Sequence, residues 1–411
     1  MSNYKRIAED IFTDEEYGRQ MRFLAGPRQC GKTFLIKNFL QIKHCEKLYY
    51  NWDSREVKAR YRANENFFLE DIERYKISSY PWLCFDEIHK VNNWKNILKA
   101  NFDEHESKIR FIVSGSARLD LFRRSGDSLA GRYLLFHLYP FNLSETIAKP
   151  FLPQSKENAI EFIKERLSFD SDLDTEKKLD HLLKFSGFPE VLIKGTDKFH
   201  MQWQKAYTEK IIYEDLRDIS QIKDLEKVSE LLDLLPQHVG SPISINSLSK
   251  KLDMNFATVK NYLKYLDLSY LTFNVKPYSK NLERTFKKEF KTYFFDWSRN
   301  IDEAKLFENY IAVELMAWCN YWTDSAQAKS FELFFIRNSD DKKETDFLIL
   351  RNSKPWLLIE AKVSEENIAS HHYKHSQLLG DIPLIQINLK GKNTKVLNDK
   401  TYVIPAARFF V

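Results

Sequence analysis

Glycine is scarce in this chain, with 11 residues in 411, against roughly 7% in an ordinary protein. Six of them, Gly18, Gly26, Gly31, Gly115, Gly126 and Gly131, fall in the first third, where backbone freedom is evidently needed. Cysteine is nearly missing too. Cys30, Cys45, Cys84 and Cys319 have neither CxxC spacing nor disulfide density, which excludes a stapled secreted scaffold and suits a reducing cytosol. No apolar run approaches the roughly 18 residues of a membrane-spanning helix, because charges interrupt every one. The N-terminal "MSNYKRIAEDIF" has Glu9 and Asp10 where a signal peptide needs an apolar core, so the expected location is cytoplasmic, with no membrane partner. An excess of one charge is also lacking. The 63 basic residues nearly balance 58 acidic ones, for a net +5, so only a local basic surface could point to nucleic acid.

What is present is apolar and aromatic: 43% hydrophobic residues, with 31 Phe and 20 Tyr, enough for several cores. At roughly 100–200 residues per domain, two to four domains are expected.

The scarce glycines lead to the first motif. "GPRQCGKT" fits G-x-x-x-x-G-K-[ST] at Gly26, Gly31, Lys32 and Thr33. "QMRFLA" before it reads as a short buried strand, and "KTFLIKNFLQI" after it has helical apolar spacing. Such a turn aims N–H groups and a helix N-terminus at phosphate oxygens. The cradle is Gly26, Pro27, Arg28, Gln29, Cys30, Gly31, Lys32, Thr33 and Phe34, with the Cys30 thiol expected within reach of reagents. Lys32 would reach the β- and γ-phosphates of ATP, and Thr33 would bind Mg²⁺. "PWLCFDEIHK" supplies an apolar strand ending in Asp86 and Glu87: the first for the Mg²⁺ shell, the second as base for the attacking water. "KIRFIVSGSA" is a third strand, ending at Ser114, placed to contact the γ-phosphate or the water. Arg118, Arg123, Arg124 and Arg132 follow as candidates for a finger completing a neighbouring subunit's site, which would make the chain a homo-oligomer. "KLYYNWD" adds a strand, so the β-α-β order of a parallel sheet is present.

"GPRQCGKTFLIKNF", "CFDEIHK", "IVSGSARLDLF" and "DSLAGRYLLFHLYPFNLSE" together resemble the prokaryotic AAA-type P-loop ATPases that carry a C-terminal domain of unknown function. The resemblance runs through most of the chain, "FSGFPEVL" included. It implies ATP binding by Gly31, Lys32 and Thr33 and the same roles for Asp86 and Glu87.

Residues 146–225 read as a helical lid or connector broken at "SGFPE". Over 226–300, Leu248 and Leu252, a "DMN" turn, then Val259, Leu263 and Leu266 give two helices, and "SYLTFNVKPY" alternates like a strand. Helix, turn, helix, hairpin is the winged helix-turn-helix order. Lys260, Asn261 and Lys264 occupy polar positions on the second helix. The wing, "KPYSKNLERTFKKEFK", holds six basic residues against two acids and suits phosphate contacts to DNA, with Lys287 and Lys288 among them. Packing between domains is the alternative use of such a fold.

Residues 301–411 carry a second constellation. A helix with Glu308 and Glu314 embedded precedes "ETDFLILRNSKPWLLIEAKVS", two strands around an "RNSKP" turn. Asp346 opens the first strand, and Glu360 and Lys362 share a face of the second. Two carboxylates with a lysine suit metal-assisted phosphodiester hydrolysis. The set resembles the PD-(D/E)xK nuclease fold, which implies metal binding by Asp346 and Glu360, with Lys362 and Glu308 completing the site. Thr345 stands where that motif has proline. A plain ion pair between Glu360 and Lys362 is the competing use. His371 and His375 lie at i and i+4 on a helix, as a zinc pair or, more simply, a solvated face, with Gln377 nearby.

The expected architecture is α/β: a P-loop parallel sheet (1–145), a helical connector (146–225), a winged helix-turn-helix (226–300) and a restriction-endonuclease-like α/β domain (301–411). The expected function is Mg²⁺-dependent ATP hydrolysis coupled to DNA binding or processing. The rival is a nucleotide-switched interaction module whose nuclease-like domain is inactive.

Overall fold

β-branched and aromatic runs bounded by turn residues form strands here, and the computed structural model pairs them into two sheets. It describes residues 5–77, 80–115, 129–147, 153–169, 172–216, 222, 224–279, 290–338, 341–364 and 367–411. Two compact units emerge, Arg6–Tyr139 with Leu268–Tyr270, and Pro140–Asp267 with Leu271–Val411.

In the N-terminal unit, β1 (Met21–Ala25), β2 (Tyr49–Asn51), β3 (Trp82–Asp86), β4 (Arg110–Ser114) and β5 (Tyr133–His137) lie in the order β2-β3-β4-β1-β5. Every pairing is parallel. β1 and β3 are buried along their whole length, as parallel strands covered on both faces should be. Phe12, Phe39 and Phe136 meet edge-to-face beneath the sheet, each contact at 6.0 Å.

The second unit holds helices Ala159–Leu167, Leu173–Phe185, Pro189–Lys194 and Asp197–Lys210, so the helical reading of the middle segment agrees with its elements. Helices Ile245–Lys251 and Phe256–Leu268 then lead into β6 (Thr272–Pro277) and β7 (Lys291–Phe294), an antiparallel pair. Most of the expected wing, Lys287 and Lys288 included, lies outside the described residues. The hairpin does not stop at residue 300. β6 pairs in parallel with β8 (Phe331–Arg337), joining a sheet with β9 (Glu344–Arg351), β10 (Lys354–Lys362), β11 (Leu384–Asn388), β12 (Lys395–Asn398) and β13 (Thr401–Pro405). The order is β12-β13-β11-β10-β9-β8-β6-β7, so the segments expected as 226–300 and 301–411 share eight strands instead of forming separate bodies. Asn352 and Ser353 both have positive φ, the two-residue hairpin turn whose twist matches β9 and β10.

Helix Glu303–Asp324 begins at Asp302, whose side chain accepts the Lys305 N–H. It is apolar on most faces because it is buried on most faces. Trp318 and Trp322 meet Phe162 at 6.0 and 5.4 Å, and Trp318 meets Phe409 at 5.5 Å. Among the described residues no helix is long and apolar enough to cross a membrane.

Glu314 on that helix is structural. It is 1% exposed and its Oε1 accepts the Leu143 N–H at 2.8 Å. Burial pushes its carboxyl up to about 8. A raised folded pKa favours the protonated form, so this contribution to stability is full below the ordinary value of 4.5 and is lost as pH rises towards 8. Glu314→Gln keeps the oxygen acceptor and removes the titration. We expect wild-type stability to fall between pH 5 and 8 by on the order of 4 kcal/mol relative to the variant, read from denaturation midpoints. Parallel pH curves for the two proteins would refute it.

Candidate functional site

The parallel sheet places the carboxyl ends of β1, β3 and β4 side by side, the usual site of a ligand crevice in such sheets. Between β1 and helix Lys32–Ile42 the chain turns at Gly26 (φ 149°), Gln29 (φ 60°) and Gly31 (φ 104°). Only glycine fits at 26, because a Cβ there would lie 1.9 Å from the Leu138 carbonyl oxygen. Arg6 ties down the far side of the loop, donating to the carbonyls of Cys30 (2.7 Å) and Tyr139. Lys32 is buried and its ammonium is held by the carbonyls of Gly26 and Pro27 at 2.8 and 2.7 Å. Arg28 is partly buried, while Gln29, Thr33 and Phe34 are exposed along the loop and first helical turn.

Three hydroxyls converge on the Asp86 carboxylate. Ser114 donates to Oδ1; Tyr49 and Thr33 donate to Oδ2, the last at 3.4 Å. Glu87 has positive φ (59°) and its N–H donates to the Ser114 carbonyl at 2.9 Å, so the chain turns directly after β3. Burial, then the Asp86 charge, push the Glu87 carboxyl up, which makes it a better proton acceptor. Lys90 Nζ lies 3.7 Å from it and is itself held by Asp53 at 2.7 Å. His89 is 3.6 Å from Glu87, but burial pushes its ring down to about 4, so at neutral pH this contact is not an ion pair.

Lys32, Thr33, Asp86, Glu87 and Ser114 are thus brought to one edge of one sheet. Tyr49 escaped the sequence reading. Its signal was weak: a tyrosine on β2, whose register beside β3 pairs Asn51 with Asp86. One expectation changes. The Cys30 thiol is not within reach: it is fully buried and donates to the Leu138 carbonyl at 3.2 Å. Arg132 is bound in a two-pronged pair with Asp103, at 2.6 and 2.9 Å. Arg118, Arg123 and Arg124 lie outside the described residues.

In the second unit a cavity of about 850 Å³ is lined by Glu308, Glu344, Asp346, Glu360, Lys362 and His372, among others. The expected constellation is therefore assembled, with an addition. Lys291, counted above with the wing, is wholly buried beneath the carboxylates. Its ammonium meets Glu308 Oε1 and Asp346 Oδ1 at 3.1 Å and Glu344 Oε1 at 3.3 Å. Tyr293 donates to the same Glu308 oxygen at 2.7 Å. Gly240 (φ 77°) admits the Glu308 carboxylate, since a Cβ there would lie 2.4 Å from Oε2. Asp346 Oδ2 accepts the Ala361 N–H, and Glu360 accepts the Asp346 N–H while its other oxygen meets Lys362 at 3.0 Å.

Burial acts on all these groups, and the neighbours decide the outcome. Burial would raise Asp346, but Lys291 and the Ala361 N–H bring it below the usual carboxylate range. Glu360 is pushed well up by burial and by Asp346. Burial would lower Lys291, yet Glu308, Tyr293, Asp346 and Glu344 hold it well above an ordinary lysine, fully charged.

The histidines are neither a zinc pair nor a solvated face. His375 is completely buried and His372 nearly so, while His371 Nε2 meets the Glu344 carbonyl at 3.0 Å. Asn338 donates its amide to Asp341, so its Oδ1 accepts from His375 Nε2–H. His375 Nδ1 then accepts the Thr345 hydroxyl proton, and His372 Nδ1–H donates to Thr345 Oγ1, both at 2.8 Å. Thr345, at the motif's proline position, thereby fixes both rings. Burial pushes His372 down to about 3, so it stays neutral. Gln377 is exposed, and Gln386 lines the cavity instead. Among the described residues no group of three or more His, Cys, Asp or Glu is arranged to hold a metal ion.

Residues 18–147 match the model of an AAA domain, and residues 176–298 and 303–409 each match a domain of unknown function (DUF8612 and DUF4143). An uncharacterized protein of Methanocaldococcus jannaschii is 23% identical over 414 residues, covering 95% of this chain and 87% of the relative. A second from that organism is 25% identical over 407 residues, covering 88% and 81%. Among solved structures, Orc1 of Aeropyrum pernix in complex with DNA aligns with a TM-score of 0.34 and 11% identity, over 72% of this chain and 88% of that one. AMPPCP-bound DnaA of Aquifex aeolicus aligns at 0.29 and 13%, over 64% and 85%. Neither likeness is close enough to carry an argument. Over residues 18–147 the chain is similar to AAA-type P-loop domains.

The Cys30 geometry gives a direct test. A buried, hydrogen-bonded thiol reacts slowly whatever occupies the loop. We expect Cys30 to resist a bulky thiol reagent in the folded protein, equally with and without ATP, and to label on denaturation. Rapid labelling blocked by ATP would place the thiol at the surface.

Proposed function

We propose that the chain binds ATP at the Gly26–Thr33 loop and hydrolyses it with Mg²⁺. The observation that carries this reading is the meeting of Lys32, Thr33, Asp86, Glu87 and Ser114 at the carboxyl ends of β1, β3 and β4. The residues fit the cofactor. The turn at Gly26–Gly31 lets backbone approach phosphate closely, and Thr33 already shares a hydrogen bond with Asp86, the pair that would hold Mg²⁺. The metal would neutralise charge on the phosphates. Lys32 exchanges its two carbonyl partners for phosphate oxygens. Glu87, with its raised pKa, takes the proton of the attacking water. Ser114, held by Asp86, sits where it would orient that water or the γ-phosphate.

Coupling to DNA is the finer part of the proposal. What supports it is the sequence Ile245–Lys251, Phe256–Leu268 and the β6–β7 hairpin, the element order of a winged helix, with Lys260, Asn261 and Lys264 exposed on its second helix. The order helix, β8, β9, β10, helix, β11 that follows, with Asp346 on β9 and Glu360 and Lys362 on β10, supports the restriction-endonuclease-like reading of this segment.

Two variants separate binding from chemistry. Lys32→Ala should abolish ATP binding. Glu87→Gln should still bind ATP and lose hydrolysis by about 100-fold or more. Wild-type turnover by Glu87→Gln would remove Glu87 as the base.

DNA coupling has its own measurement. Lys260→Ala with Lys264→Ala should weaken DNA binding and reduce the log–log salt slope by about two units. Unchanged binding would assign this helix pair to packing alone.

A further inference from the structure

The Lys291 ammonium donates to Glu308 Oε1 and Asp346 Oδ1, both at 3.1 Å, and lies 3.3 Å from Glu344 Oε1. The side chain has no exposed surface, so these three carboxylates stand where water would otherwise meet the charge. The carboxylates come from helix Glu303–Asp324 and from β9, whereas the lysine comes from the β6–β7 hairpin, well before them in the chain. Three segments therefore converge on one positive charge.

We propose that Lys291 is the resident cation of this carboxylate cluster, and that the cavity above it binds no divalent metal ion. A carboxylate pair suited to metal, Asp346 and Glu360, is present, but each member already has its own ammonium: Lys291 on Asp346 and Lys362 on Glu360. Lys291 cannot readily step aside. Its backbone is clamped between Val275 of β6 on one side and a bridge to Pro242 on the other, and its ammonium lies over the Phe335 ring, with Nζ 5.4 Å from the ring centre. Withdrawing the ammonium would leave it buried without an anion, and leave the partly buried Glu308 and the buried Asp346 without that cation. The positive φ at Gly240, which seats the Glu308 carboxylate, suits a backbone shaped around this lysine-centred arrangement. The residues thus do not fit the divalent metal that the Asp-Glu-Lys motif implies.

The experiment counts Mn²⁺ bound per full-length chain, without nucleotide, by the electron spin resonance of the free ion. Wild type and Asp346→Asn should bind equal numbers. A wild-type ion that disappears in Asp346→Asn, with the circular dichroism unchanged, overturns the proposal. Lys291→Gln removes the cation and keeps a polar side chain. It should gain a Mn²⁺ that Lys291→Gln with Asp346→Asn lacks, or fold only when Mn²⁺ is supplied. A folded Lys291→Gln protein that gains no ion shows that the carboxylates do not form a cation site and also overturns it. Should Lys291→Gln stay unfolded with or without Mn²⁺, the first comparison decides alone.

Discussion

A positive charge with no access to water has to be surrounded by negative ones, and in the larger unit that requirement fixes the geometry of everything near Lys291. Removing a carboxylate from water costs several kcal/mol, and so does removing an ammonium; neither is stable there alone. The cluster reconciles them by drawing together β7, β9 and the start of helix Glu303–Asp324. The sheet that carries them is continuous from the hairpin to β9, across the point near residue 300 where one family match ends and the next begins. Gly240 and Thr345 follow from the same constraint. One leaves room for the Glu308 carboxylate, and the other wires two neutral histidines beside Glu360 without adding charge.

The N-terminal unit handles charge in the opposite way. Its acids and its lysine sit at an edge where strands end, and neutral hydroxyls satisfy Asp86. Hydroxyls can be exchanged for a ligand at small cost, because each can turn its single proton elsewhere. Lys32 is similarly held by carbonyls instead of an acid. A site built from weak, replaceable partners is ready to accept phosphate. One built from ion pairs already has its counter-ions.

What could be read from the sequence divides along that line. The P-loop was legible because its glycines are demanded by backbone geometry, and backbone demands are written locally: Gly26 cannot be anything else beside Leu138. The β9–β10 hairpin was legible for the same reason, through period-two alternation around a turn. Burial is not local. Lys291 entered the reading as one of six basic residues in a wing because a count of charges carries no information about which lysine points inward. His375 was assigned to a solvated face since i, i+4 spacing says which residues share a side, not which side is packed. Cys30 was placed near solvent because its loop is, yet its thiol turns inward to Leu138. β5, β8, β11 and β13 have little sequence signal of their own, being short apolar runs whose pairing partners are distant in sequence.

The difference between a lysine and a metal at the second site can be weighed by charge alone. A divalent ion about 4 Å from an ammonium is repelled by on the order of 8 kcal/mol at an effective dielectric constant near 20. Attraction to the carboxylates must exceed that and the cost of dehydrating the ion. Four acids line the cavity, but Lys291 pairs with Glu308, Asp346 and Glu344, and Lys362 pairs with Glu360, so each carboxylate already has an ammonium beside it. Carboxylates already engaged in this way have less charge to offer in place of the water around Mg²⁺. An Asp-Glu-Lys motif therefore does not specify a metal site by itself. The charge that decides the matter sits outside the motif, on a lysine more than fifty residues upstream of Asp346.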